Sequence, residues 1–216
     1  MDRSGWADAA DRAESEFGNV HILCNNAGVL GGGIKDAEPN EWQWVLGVNL
    51  LGVVNGVLTF VPRLKAHGEE AHIVNTASIA GVLPGDSVYN VSKAATFSYS
   101  EGLHRILAED GIGVSVLCPG LVETNLFHAE RNRPERLARD PSWPPPAFDE
   151  DQRAAFVAQR RNTMTTAEFC AARVLQAIRE NRLYVFTHPD LKVPVQARFE
   201  RILEAMDNLP EPPMLD

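Results

Sequence analysis

At 216 residues, with 44% hydrophobic and 23% charged side chains, the chain has the size and balance of one globular domain around one sizeable core. A formal net charge of -9 argues against nucleic acid or an anionic membrane as partner, because both recruit Lys/Arg-rich surfaces. Three cysteines, Cys24, Cys118 and Cys170, are an odd number and a poor disulfide framework, which points to a reducing, cytoplasmic setting.

The first residues are acidic and helical in pattern, unlike a signal peptide, and no apolar run reaches the roughly 18–20 residues of a membrane span. Residues 6–17 predict a helix closed by Gly18. "VHILCNNAG" reads as a short buried strand ending in a turn, followed by the glycine-rich loop "GVLGGGIKDAEP". Residues 40–66 carry a wide apolar helical face, with Pro62 placed to bend or end it. "AHIVNTAS" (71–78) is a second strand, and Gly81, Pro84 and Gly85 mark a loop. A long helix over 88–109 stops near Gly111, and "GVSVLCPG" (113–120) is a third strand cut by Pro119–Gly120. Residues 121–160 are charged and proline-bearing, long for a plain connection, and read as a substrate-binding loop or lid. A helix over 166–180 with a capping Thr165 or Thr166, the strand "LYVFTH" and a helix over 192–207 complete the chain.

Apolar strands alternating with long helices predict an α/β fold: one domain over 1–216, a Rossmann-like parallel sheet with helices on both faces. In such sheets ligands bind beyond the carboxyl ends of the strands. Asn25, Asn26 and Gly28, then Ser78, then Pro119, Gly120 and Thr124 fall there.

Within "SVYNVSKAA" (87–95), Tyr89 and Lys93 are four apart and share a helix face. Alone, the pair reads more readily as a solvated helix face. A free phenol titrates near ~10, and lowering it by about three units takes roughly 4 kcal/mol. One cation about 4 Å away at an effective dielectric of ~20 supplies roughly that much. Taken singly, Ser78 is also a candidate helix cap, Asn49 a poor mid-helix residue, and Pro119–Gly120 a simple turn.

"NNAG" (25–28), "NLLG" (49–52), "NTASIAG" (75–81), "YNVSK" (89–93) and "PGLVET" (119–124) occur in this order, and together they resemble the short-chain dehydrogenase/reductase family. The resemblance implies NAD(P)-dependent interconversion of a secondary alcohol and a ketone. Tyr89 would be the general acid/base, Lys93 would lower its pKa and bond the nicotinamide ribose, and Ser78 would bond the substrate oxygen. Asn49 would hold a water in a proton relay. Asn25, Ala27 and Gly28 would line the cofactor crevice, and Pro119, Gly120, Val122 and Thr124 would flank the nicotinamide. The resemblance further implies a homodimer or homotetramer. The eleven-residue gap between Ser78 and Tyr89 is short for the family.

Remaining histidines and carboxylates form no metal pattern, with His67 and His72 expected at solvated positions. "ERNRPERLARD" (130–140) reads as a solvated lid helix, and Leu126, Phe127, Trp143 and Phe148 hint at an apolar substrate. The family's opening strand and T-G-x-x-x-G-x-G turn are not in this sequence, nor is the residue that chooses between NAD and NADP. The fold is therefore expected to lack the N-terminal β-α-β-α-β portion and to expose the first strand as an open edge. Three accounts fit: a dehydrogenase truncated at its start, a non-catalytic binding or assembly module, or an enzyme that completes its sheet through a partner.

Overall fold

The computed structural model describes residues 4–144, 150–207 and 209–210. Phe148 lies outside the described residues. Helix α1 (Ser4–Phe17) ends where Gly18 adopts φ +77° and returns its N–H to the Glu14 carbonyl at 2.9 Å. Strand β1 (Ile22–Asn25) follows, and α2 (Pro39–Leu46) runs through a π-turn (Gly47–Leu51) into α3 (Gly52–His67). Pro62 neither ends nor interrupts α3, which continues to His67 and stops at Gly68. Strand β2 (Ala71–Thr76) leads into a short helix α4 (Ile79–Val82), where the sequence suggested only loop. Ser87 caps α5 (Val88–Leu107) by accepting the Asn90 N–H at 3.2 Å. Strand β3 (Ile112–Cys118) precedes the long excursion, which carries 3-10 turns and α6 (Glu150–Arg160). Thr166 caps α7 (Ala167–Arg179), and β4 (Tyr184–Phe186) and α8 (Lys192–Glu204) follow.

The four strands lie in the order β1-β2-β3-β4, all parallel. On one face, α1, α3 and α5 bury Leu23, Ile73 and Val114 against Val57, Phe60, Leu64 and Leu103. On the other, α7 covers β3 and β4 through Ala177, Leu117 and Val185. β1 is an edge among the described residues, and the outward members of its alternation, Ile22 and Cys24, are exposed, as the sequence implied. The strand order shows no reversal among the described residues, so the described sheet contains no topological switch point.

Two expectations need correction. The continuous helix Pro39–His67 is long and apolar enough to cross a membrane by length and composition, with a mean hydropathy of 1.9. Its apolar face instead packs on the sheet and it buries Asn49 and Asn55, as a core helix does. The 130–140 segment is also docked rather than solvated. Ala129 and Leu137 are buried in a cluster with Val29, Trp44, Val45 and Val88, and the Arg133 guanidinium lies 4.3 Å from the Trp44 ring centre.

His72 was expected in solvent but is 5% exposed on β2. Ser115 Oγ donates to the Arg182 carbonyl at 2.6 Å, so at 2.8 Å it accepts from His72 Nε2, which places the imidazole proton there. Burial, with a smaller push from His104, lowers the His72 pKa to about 4. The depressed folded value means that the unfolded chain takes up the proton first as pH falls below about 6.5. Stability therefore declines from pH 6.5 down to about 4, by up to about 3 kcal/mol for a group this buried. Urea unfolding of wild type and His72→Gln across that range checks it. Parallel pH slopes for the two proteins would refute the assignment.

Candidate active site

The carboxyl ends of β1, β2 and β3 and the first turn of α5 converge on one place. Asn25 ends β1, and its amide donates to Asn75 Oδ1 at 2.9 Å; Asn75 donates in turn to Ser100 at 3.0 Å. This buried chain ties β1 to β2 and β2 to α5. Gly56 lets α3 pass close by, since a Cβ there would stand 2.2 Å from Asn25 Oδ1. Asn26 and Ala27, just beyond, are exposed, and Asn26 accepts the Thr76 hydroxyl at 3.0 Å.

Asn49 is fully buried in the π-turn. Its side chain clamps both backbone groups of Val29, accepting at 2.8 Å and donating at 2.9 Å, and also donates to Ser92 at 2.9 Å. Its carbonyl accepts from Thr96 at 2.8 Å. The loop after β1 is thereby tied to α5 around Gly28. A mid-helix Asn, poor by propensity, is repaid by four tertiary bonds.

Ser78 is the helix cap that its sequence allowed. It caps α4, accepting the Ala80 N–H at 3.1 Å, its hydroxyl donates to the Pro119 carbonyl at 3.5 Å, and it lies beside the Tyr89 phenol. Tyr89 is half-buried one residue into α5. Burial raises its pKa, and Ser78 beside it only partly opposes this. The expected lowering by Lys93 is not seen. Lys93 is 2% exposed, its Nζ donates to the Thr76 carbonyl at 2.7 Å, and it stands 5.7 Å from the Tyr89 ring centre. Burial brings the Lys93 pKa down to about 8. The i, i+4 spacing put both residues on one face, but helical side chains lean toward the N-terminus, and the long Lys93 stem reaches the β2 end.

Residues 119–124 join the site from β3. The Pro119 carbonyl accepts the Ile79 N–H at 3.0 Å, and the Gly120 N–H donates to Thr187 at 3.2 Å and His188 at 3.3 Å. Val122 bridges to Thr165, and Thr124 caps the next turn, accepting the Leu126 N–H at 3.3 Å. Beyond it, a cavity of about 290 Å³ lies between Glu123, Phe127 and His128 and Val157, Arg161 and Met164. Sequence reading missed Thr76, Ser92, Thr96 and Cys118. Ser92 and Thr96 were detectable as polar residues on the otherwise apolar face of α5. Cys118 receives the Ser78 backbone N–H, and burial drives its thiol up to about 12, so it is an inert packing group here.

At the opposite end of the sheet, His21, His67 and Glu69 bring ligand-type atoms within 4.8 Å of one another, a grouping that the linear sequence hid. Those atoms already bond one another and the backbone: Glu69 to His21 at 2.6 Å and Asn19 at 2.7 Å, His67 to the Val20 carbonyl and the Glu69 N–H at 3.0 Å each. His67 is half-buried rather than solvated.

A parallel sheet with a serine, a tyrosine and a buried lysine gathered at its carboxyl edge defines a Rossmann-type fold of the oxidoreductase kind. The family model described as "short chain dehydrogenase" matches residues 1–135, and the chain belongs to that family. It is 32% identical over 211 residues to a C alpha-dehydrogenase from Sphingobium sp. strain SYK-6, covering 95% of this chain and 67% of the relative. It is 32% identical over 217 residues to a CLA biosynthesis dehydrogenase/reductase from Lactiplantibacillus plantarum, covering 97% of this chain and 74% of the relative. A short chain dehydrogenase/reductase from Burkholderia phymatum, solved in complex with NAD, superposes with a TM-score of 0.84 at 39% identity, covering 99% of this chain and 77% of that one. The chain thus spans about two thirds to three quarters of these relatives.

Proposed function

We propose that the chain is an NAD(P)-dependent oxidoreductase that interconverts a secondary alcohol and a ketone by hydride transfer, with Tyr89 as general acid/base. The observation that carries this reading is that Ser78, Tyr89 and the buried Lys93 gather at the carboxyl end of β2, with Lys93 Nζ 5.7 Å from the Tyr89 ring centre. The residues present suit the nicotinamide end of a dinucleotide. Gly28 leaves an opening in front of Lys93, where a Cβ would stand 3.5 Å from Nζ. Asn25, Ala27 and Gly28 edge that opening, Lys93 and Tyr89 would hold the ribose, and Pro119, Gly120, Val122 and Thr124 would flank the ring. The pyrophosphate cradle is not supplied by Gly31–Gly33, whose backbone is paired with the segment before Tyr89.

When bound, the nicotinamide accepts or gives the hydride. In the reduction direction the Tyr89 hydroxyl gives its proton to the ketone oxygen, while Ser78 holds that oxygen. Burial raises the phenol pKa, so Tyr89 has a proton to give at neutral pH. In oxidation Tyr89 must first give up its own proton, so that the phenolate oxygen can take the proton of the alcohol. Asn49 keeps the loop after β1 and α5 in register, and a water at its carbonyl would extend a proton path from Lys93. The apolar walls beyond Thr124, Phe127, Val157 and Met164, suit an apolar small molecule. Family membership supports a homodimer or homotetramer, and three free thiols suit a cytoplasmic site.

The test is titration with NADH and NADPH, followed by fluorescence, together with absorbance assays on secondary alcohols and ketones. Binding in the micromolar range with turnover supports the oxidoreductase reading. The bare edge of β1 favours a second reading, a binding or assembly module of this fold. Absence of any dinucleotide binding would select it.

A further inference from the structure

We infer that Arg139 and Glu41 form a positioning couple that fixes Tyr89 through the glycine-rich strap at 31–34. The inference rests on the oxidoreductase reading for its meaning, and on geometry for its substance. Arg139 reaches across from the end of the 125–140 segment. Its Nη1 donates to Glu41 Oε2 at 3.0 Å and its Nε to Glu130 Oε1 at 3.1 Å. Glu41 is 3% exposed, and Arg139 is its cationic partner. A buried carboxylate is retained when a cation and hydrogen bonds hold it, and this one has both.

The second oxygen of Glu41 accepts the Gly32 N–H at 2.5 Å. The Gly32 carbonyl accepts the Val88 N–H at 3.0 Å, and the Ile34 N–H donates to the Asp86 carbonyl at 2.7 Å. Gly33 and Ser87 pair as an antiparallel bridge. Thus the strap lies along the last residues before Tyr89. It lies too close for side chains, since a Cβ at Gly31 would meet Val45 at 3.0 Å, Val88 at 3.1 Å and the Tyr89 nitrogen at 3.4 Å. An unbroken path of bonds therefore runs from Arg139 through Glu41, Gly32 and Val88 to the residue that carries the phenol. Glu38 strengthens the same junction, accepting the Asp140 N–H at 2.8 Å beside Arg139. The segment that would cover the substrate and the residue that would move its proton are in this way set by one ion pair.

The chain has only three tyrosines, so ring-labelled tyrosine gives three resolvable NMR signals, with Tyr89 identified by its loss in Tyr89→Phe. In Glu41→Gln and Arg139→Met the Tyr89 signal is expected to shift or broaden, while Tyr99 and Tyr184 hold still. Amide exchange in peptides covering 29–35 and 86–92 should speed up at least about tenfold, with β2 and β3 unchanged. Lys65→Met, which removes a surface pair with Asp110, should leave all three signals in place. If Arg139→Met does not fold, Glu41→Gln and Arg139→Lys decide. Arg139→Lys keeps the charge without the two-sided fork and should show a smaller Tyr89 displacement than Glu41→Gln. A Tyr89 signal unmoved in Glu41→Gln, with loosening confined to 128–140, would overturn the couple. If wild type binds no dinucleotide, the oxidoreductase reading falls, and the Tyr89 signal still decides the strap.

Discussion

Replacing Tyr89 by phenylalanine is expected to lower turnover of a secondary alcohol by about three orders of magnitude, the scale of a lost general acid/base. The variant removes one oxygen. That oxygen lies beside Ser78, and Ser78 keeps its place through the Ala80 N–H that it caps. The ring still fills the same half-buried position at the start of α5. Stability should therefore change by no more than about 1 kcal/mol, and dinucleotide affinity, with Lys93 still holding the ribose, by no more than about fivefold. Loss of turnover with fold and affinity intact is the pattern of a group that acts in the transition state rather than in binding. Steady-state kinetics, thermal melts and NADH fluorescence on the same preparation separate the three. Turnover within tenfold of wild type would remove Tyr89 from the reaction, and with it the reading of this site.

The pair that first suggested this chemistry was legible in part. Residue spacing placed Tyr89 and Lys93 on one face, and the motifs around them located the end of the sheet where that face lies. The lysine's actual target was not legible. Nζ bonds the Thr76 carbonyl, a backbone atom 17 residues back, which no pattern in the side chains encodes. The four strands were found because a parallel sheet buried by helices requires continuous apolar runs. The boundaries of α1, α5 and α7 were legible because Gly18, Gly111 and Thr166 have local reasons to be there.

What failed was everything settled by distant partners. His72 looked like a solvated strand start, yet Ser115, a residue 43 positions later, gives it a buried bond. The charges at 130–140 looked like a solvent face, yet their partner Glu41 lies 98 residues from Arg139. Asn49 is a misfit by helix propensity alone, but its role as a clamp depends on Val29 and Ser92, which only the fold brings near. Local rules read elements. They read polar burial poorly, because the cost of burying such a group is cancelled by whichever residue the topology delivers.

Gly81→Ala is expected to destabilise the protein by about 3 kcal/mol or more, lowering Tm by roughly 6–12 °C for a chain of this length. A Cβ at Gly81 would stand 2.5 Å from both the carbonyl carbon and oxygen of Lys93, and 2.8 Å from the Ala94 nitrogen. These are backbone atoms of α5, so no side chain can swing aside to make room. One of the two helices must move, and α4 is the shorter, with one turn against the five turns or so of α5. Displacing α4 carries its cap, Ser78, away from the Tyr89 phenol, so the stability loss should come with loss of the Ser78–Tyr89 contact. Gly102→Ala on α5 is the matched control: nothing lies within 4 Å of its Cβ, and the change should stabilise by up to about 1 kcal/mol through helix propensity. Thermal melts of the two variants side by side test steric contact against composition. A Gly81→Ala protein melting with wild type would mean that α4 does not sit on Lys93 as described, and that the serine is held to the tyrosine by something other than this crossing.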